Sequence, residues 1–113
     1  MHELTVIENI MNISFQAAKE NKLNHIEKIN LRVGKLQHLN EMIMQNAFSA
    51  AKADTPAARA ELIILRSPVQ LICQDCNHEF RPENNNFHCP ACNSTSTKIV
   101  KGNELYVESI EGG

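Results

Sequence analysis

The sequence predicts an α+β fold: two helices packed on a small three-stranded mixed sheet, with a zinc-ribbon-like module inserted before the last strand. Three observations carry this reading. Apolar residues recur at helical spacing in the first 22 residues and again after residue 40. Short alternating or apolar runs between and beyond those segments read as strands. All four cysteines stand together, as two C-x-x-C pairs, in a stretch with few large apolar side chains. A length of 113 residues fits one compact domain with such an insertion.

The first helix runs from Leu4 to about Lys22, with Leu4, Ile7, Ile10, Met11, Phe15 and Ala18 on its apolar face. Glu8, Asn12, Gln16, Lys19 and Glu20 supply the outer face, and Asn21 and Asn24 a natural end. Ile29, Leu31 and Val33 alternate with Asn30 and Arg32, a half-buried strand closed by Gly34. The second helix spans about Asn40 to Asp54 on a stripe of Met44, Ala47, Phe48 and Ala51. Asn40 can cap it, because its side-chain oxygen reaches an amide that the first turn leaves unpaired. Thr55-Pro56 ends it, since proline cannot continue the hydrogen-bond ladder.

Leu62-Ile63-Ile64-Leu65, within Glu61 to Arg66, reads as a buried strand, and Val69-Gln70-Leu71 resumes an extended pattern after Ser67-Pro68. Lys98 to Val100 and Glu104 to Ile110 are extended around a Gly102-Asn103 turn, and Gly112-Gly113 reads as a frayed end. The division that follows is an α/β domain of residues 1–68 plus 103–113, and a structural zinc-binding module of residues 69–102.

Composition narrows the functions. Eleven Lys and Arg against 13 Asp and Glu give a net charge of −2, and aromatics are 4% with no Trp. Nucleic-acid binding needs a basic footprint and stacking platforms, so no nucleic acid is expected as a partner. No apolar run approaches the roughly 20 residues that span a bilayer, so no membrane insertion is expected. The opening is acidic and helical, unlike a secretion signal, which points to a cytoplasmic protein. There is no phosphate-binding glycine loop, nucleophile elbow or H-E-x-x-H, so an enzyme is not expected.

Cys73 to Thr97 is rich in Asn, Pro, Ser and Thr, with only Phe80 and Phe87 as large apolar residues. That is too little apolar surface to offset the entropy of ordering the segment. Cys73-Gln74-Asp75-Cys76 and Cys89-Pro90-Ala91-Cys92, 12 residues apart, supply the remedy. Each turn presents two thiolates, and two turns complete the tetrahedron of a structural zinc site. Four sulfurs leave no position for a reactive water. Two disulfides, iron in the same cage, or a thiol redox pair are the alternatives. His78 and His88 flank the turns, either as surface residues or as groups that support or exchange with a thiolate. His25 and His38 are ordinary exposed histidines.

A second metal-binding pattern opens the chain. In Met1-His2-Glu3, the Met1 amine, the His2 amide and the His2 imidazole can close fused chelate rings around one ion. Such a nitrogen-rich, planar set suits Ni(II) or Cu(II).

Met1-His2-Glu3-Leu4, Arg32-Val33-Gly34-Lys35-Leu36, the four-cysteine spacing and Gly102-Asn103-Glu104-Leu105 occur in this order over essentially the whole chain. Together they resemble the HypA/HybF family of hydrogenase-maturation nickel metallochaperones. The resemblance implies that Ni(II) is a transient cargo of the α/β domain, bound by Met1 and His2, while Zn(II) is structural at Cys73, Cys76, Cys89 and Cys92. It implies delivery to the large subunit of [NiFe]-hydrogenase with a HypB-type GTPase, and in some relatives service to urease and its accessory proteins. Glu3 matches a family position near the nickel. Asn40 stands where relatives use an acidic residue beside the metal, and Lys35 where an acidic residue is frequent, so this chain departs from the pattern at both. The rival reading is a zinc-ribbon interaction module contacting nucleic acid or transcription machinery, against which the acidic balance counts.

Overall fold

The computed structural model describes residues 2–84 and 86–113. The order is α1 (His2–Glu20), β1 (Ile26–Gly34), α2 (Glu41–Ala51), β2 (Glu61–Ser67), β3 (Gln70–Cys73), β4 (Glu79–Phe80), β5 (Thr97–Lys101) and β6 (Leu105–Gly112). One three-stranded sheet runs β2-β1-β6 and a second runs β4-β3-β5. The chain divides into two compact units, one of residues 2–32, 38–65 and 106–113, the other of residues 33–37 and 66–105.

The first unit is built on apolar burial. On α1, Ile7, Ile10, Met11, Ser14 and Ala18 are buried. Leu4 is exposed and Phe15 only half-buried, so the buried stripe includes Ser14 where the apolar pattern pointed to Phe15. The Ser14 hydroxyl has no hydrogen-bond partner among the described residues. On α2, Met44 and Phe48 are buried, and the Asn40 side chain caps the helix by accepting from the Ile43 amide at 3.0 Å. Ile29 and Leu31 are buried on one face of β1, and Ile26 is buried at its start. On its other face Arg32 Nη2 meets Glu108 Oε1 of β6 at 2.9 Å, and Asn30 donates to Ser109 Oγ and Glu111 Oε2. These cross-strand side-chain pairs support the β1–β6 register.

Two further expectations are corrected. The apolar run of β2 is not a buried strand: Leu62 is buried, but Ile63, Ile64 and Leu65 are only partly covered. Its place at the end of the sheet order explains this, because an edge strand lacks a neighbour on one side. Gly112-Gly113 is not frayed either. The Gly113 carbonyl accepts from the amides of Asn24 and His25 at 2.8 and 3.0 Å, and its own amide donates to His25 O. A Cβ on Gly112 would stand 2.1 Å from that His25 oxygen, so only glycine permits the approach.

The second unit has a small core of Val69, Leu71, Cys73, Phe80 and Cys89, with Leu36 packed against it. Gly34 lies against Gly102, and a Cβ there would sit 2.1 Å from the Gly102 oxygen. That approach lets Leu36 N–H reach Gly102 O at 2.7 Å, holding the turn after β1 in this unit.

Candidate metal centre

β3 is the central strand that aims the cysteines. It pairs antiparallel with β4, Leu71 opposite Phe80, and with β5, Leu71 opposite Ile99 and Cys73 opposite Thr97. The β3–β4 connection is the first C-x-x-C turn. Cys73 N–H donates to His78 O at 2.9 Å and Asn77 N–H to Cys73 O at 2.8 Å. The second turn repeats this pattern: Cys89 N–H donates to Ser94 O at 3.0 Å and Asn93 N–H to Cys89 O at 2.7 Å. Asn77 and Asn93 both adopt positive φ, 60° and 59°. Asparagine enters that left-handed region more readily than most residues. The residue after each second cysteine is therefore part of the motif. The sequence carried the signal, as a repeated C-x-x-C-Asn that the cysteine spacing alone overlooks.

The turns bring Cys73, Cys76, Cys89 and Cys92 together, with all four Sγ atoms within 4.8 Å of one another. Sγ of Cys73 lies 3.5 Å from that of Cys92, and Cys76 3.6 Å from Cys89. None is in a disulfide; Cys73 and Cys89 are buried, Cys76 and Cys92 exposed. Zinc–sulfur bonds of about 2.3 Å in a tetrahedron need sulfurs about 3.8 Å apart, which this cage nearly meets. Burial pushes the Cys73 thiol up, but the amides of Cys76 and Asp75 and the neighbouring thiols outweigh it and bring Cys73 to about 7. At Cys92 the Ser94 amide favours the thiolate, yet the hydrogen bond with Cys73, burial and the other thiols prevail and raise it to about 12. All four could ionise together only with a cation among them, and the arrangement is one that could hold it.

The flanking histidines stand outside this group. His78 stacks on Phe80, ring centres 6.2 Å apart, and His88 is exposed. His25 Nε2 lies 3.2 Å from Glu27 Oε1, and His38 is exposed.

At the chain's opening, Met1 lies outside the described residues. His2 is the exposed first residue of α1. Glu3 Oε2 accepts from the Asn40 amide at 3.0 Å, so the starts of α1 and α2 are tied together. That hydrogen bond, with Glu3's own amide and the nearby His2, holds the Glu3 carboxyl below its ordinary value. Asn40 thus contributes its amide to Glu3 and its side-chain oxygen to the α2 cap.

A closed four-sulfur cage on two tight turns, inserted into a small α+β domain, defines a metal-binding protein. The comparisons specify which one. The family model described as "Hydrogenase/urease nickel incorporation, metallochaperone, hypA" matches residues 1–112. The hydrogenase maturation factor HypA of Chloroflexus aurantiacus is 38% identical over 98% of both chains. That of Aquifex aeolicus is 30% identical, over 98% of this chain and 96% of its own. The solution structure of the Ni metallochaperone HypA from Helicobacter pylori superposes with a TM-score of 0.73 at 27% identity, covering 97% of this chain and 96% of that one. This chain belongs to the HypA family of nickel-incorporation metallochaperones, whose members are not enzymes.

Proposed function

We propose that this chain carries Ni(II) on its first two residues and passes it, with a HypB-type GTPase, to the large subunit of [NiFe]-hydrogenase in the cytoplasm. Zinc occupies the four-cysteine cage as a structural ion, and urease with its accessory proteins is the second destination. The observation that carries this reading is His2 at the exposed start of α1 in a chain that matches the nickel-incorporation family along its length. Among the described residues no helix is long and apolar enough to cross a membrane, which is compatible with the proposed compartment.

The chemistry divides the two metals. Four sulfurs saturate a tetrahedral ion and hold it, whereas nitrogen donors at a chain start are open to an acceptor that completes or replaces them. The Met1 amine, the His2 amide and the neutral His2 imidazole bind the nickel. Glu3, anchored on the Asn40 amide, adds negative charge beside His2 without being a required ligand. Asn40 is neutral, so in this chain its part is to hold Glu3 and α2 in place.

His2→Ala abolishes tight nickel binding while leaving fold and zinc content intact, as read by calorimetric titration and metal analysis of the untagged chain. Binding also weakens as pH falls, because protons compete for the amine and imidazole. Unchanged nickel affinity in the variant would sink the assignment.

A further inference from the structure

The two cysteine turns are joined by more than their shared metal. Gln74 N–H donates to Ser96 O at 2.8 Å, continuing the β3–β5 ladder beyond the Cys73–Thr97 pair. Past the end of that ladder, Ser94 Oγ donates to Asp75 Oδ2. Asp75 lies between the cysteines of the first turn, and Ser94 follows the second turn directly after Asn93. The Ser94 oxygen also accepts from the Ser96 amide at 3.1 Å, which fixes its direction. A hydroxyl donating to a carboxylate makes a stronger, shorter bond than a neutral pair. Asp75 is not a metal ligand, since the clustered donors are the four cysteines.

We infer that the Asp75–Ser94 bridge is the selectivity-determining contact of the cage, locking the turns crosswise so that the sulfurs stay tetrahedral and cargo nickel is kept out. This rests on the assignment of zinc to the cage and nickel to the chain's opening. Raw affinity cannot keep the two apart, because zinc and nickel compete closely for sulfur and nitrogen donors and geometry must decide. Zinc accepts whatever tetrahedron the protein imposes, whereas nickel prefers four donors in a plane. To flatten the cage, one cysteine turn must rotate against the other. Backbone hydrogen bonds fix each turn internally and fix one edge of the pair, at Gln74–Ser96. The side-chain bridge pins the second point, and two points on one turn prevent the rotation.

The test compares the zinc-loaded chain with Ser94→Ala, Asp75→Ala and Ser94→Thr, all in a His2→Ala background that removes the terminal imidazole. Zinc affinity is read by competition with a chromophoric chelator. Nickel entry is read after a Ni(II) challenge, by the thiolate-to-nickel absorption in the near ultraviolet and by zinc released. Ser94→Ala and Asp75→Ala should bind zinc several-fold to about 10-fold more weakly, the worth of one hydrogen bond. Both should also develop the nickel–thiolate band, while Ser94→Thr, which keeps the hydroxyl, behaves as the parent. Wild-type zinc affinity in Ser94→Ala overturns the inference. So does weaker zinc binding with no nickel–thiolate band, which would make the bridge merely structural. Ser94→Ala also removes the acceptor of the Ser96 amide, Asp75→Ala leaves that contact and the backbone ladder in place, and the band reports sulfur ligation alone. Failure of the terminal nickel site would instead appear as unchanged nickel affinity on mutating His2 in the parent chain.

Discussion

The two units of this chain solve the problem of folding in opposite ways. The first buries Ile7, Ile10, Met11, Ile26, Ile29, Leu31, Met44 and Phe48, enough apolar surface to order two helices and a sheet. Among its described residues, the second buries only the apolar side chains of Val33, Val69, Leu71 and Phe80 besides Cys73 and Cys89. A core that small cannot offset the entropy of about 45 residues at about 1–2 kcal/mol each, a deficit that an ion in the cysteine cage would make good. The consequence is functional. On the proposed division of metals, the unit that depends on its ion would hold it tightly, and the unit that does not would be free to carry one it gives away.

Removing zinc, or replacing Cys89 by Ser, tests this contrast most severely. The loss should be on the order of 10 kcal/mol of local folding free energy. Amide exchange should then become fast across residues 69–101 but stay slow in α1 and β1. Uniform loss of protection in both units would break the comparison.

Phe48→Ala attacks the other unit. Phe48 is 2% exposed, and truncating such a side chain costs about 3–5 kcal/mol through lost burial and the cavity left behind. Denaturant unfolding should show the helical signal lost earlier, with zinc still bound by metal analysis.

Smaller effects sharpen the picture. Asn77→Ala or Asn93→Ala should each cost about 1 kcal/mol, because alanine pays more than asparagine for left-handed backbone. Asn→Gly at the same positions should be nearly neutral, and zinc-loaded thermal melts distinguish the two. The smallest effect belongs to Glu3→Gln. The lowered carboxyl of Glu3 means its contribution is complete above the ordinary carboxylate range and lost as pH falls through the lowered value. Wild type and variant should therefore differ in melting temperature near neutral pH and converge in acid.

Local patterns were legible and long-range ones were not. Helical periodicity marked α1 and α2, and Asn40 read as a cap because capping involves residues three apart. The cysteine turns read clearly because each is a contact between near neighbours. The edge position of β2 escaped, since an apolar run states that a strand wants cover, not how many neighbours it obtains. Ser14 escaped for a related reason: a small polar residue on a helix carries no signal of the face it will occupy.

The order of residues was enough to establish an α+β chain with a four-cysteine insertion, because both depend on spacings of a few residues. Only the tertiary structure could decide that Glu3 meets Asn40 across 37 positions, that Asp75 meets Ser94, and that Gly113 docks on His25. Such contacts are set by how separate segments pack, and no local propensity encodes which distant groups will meet.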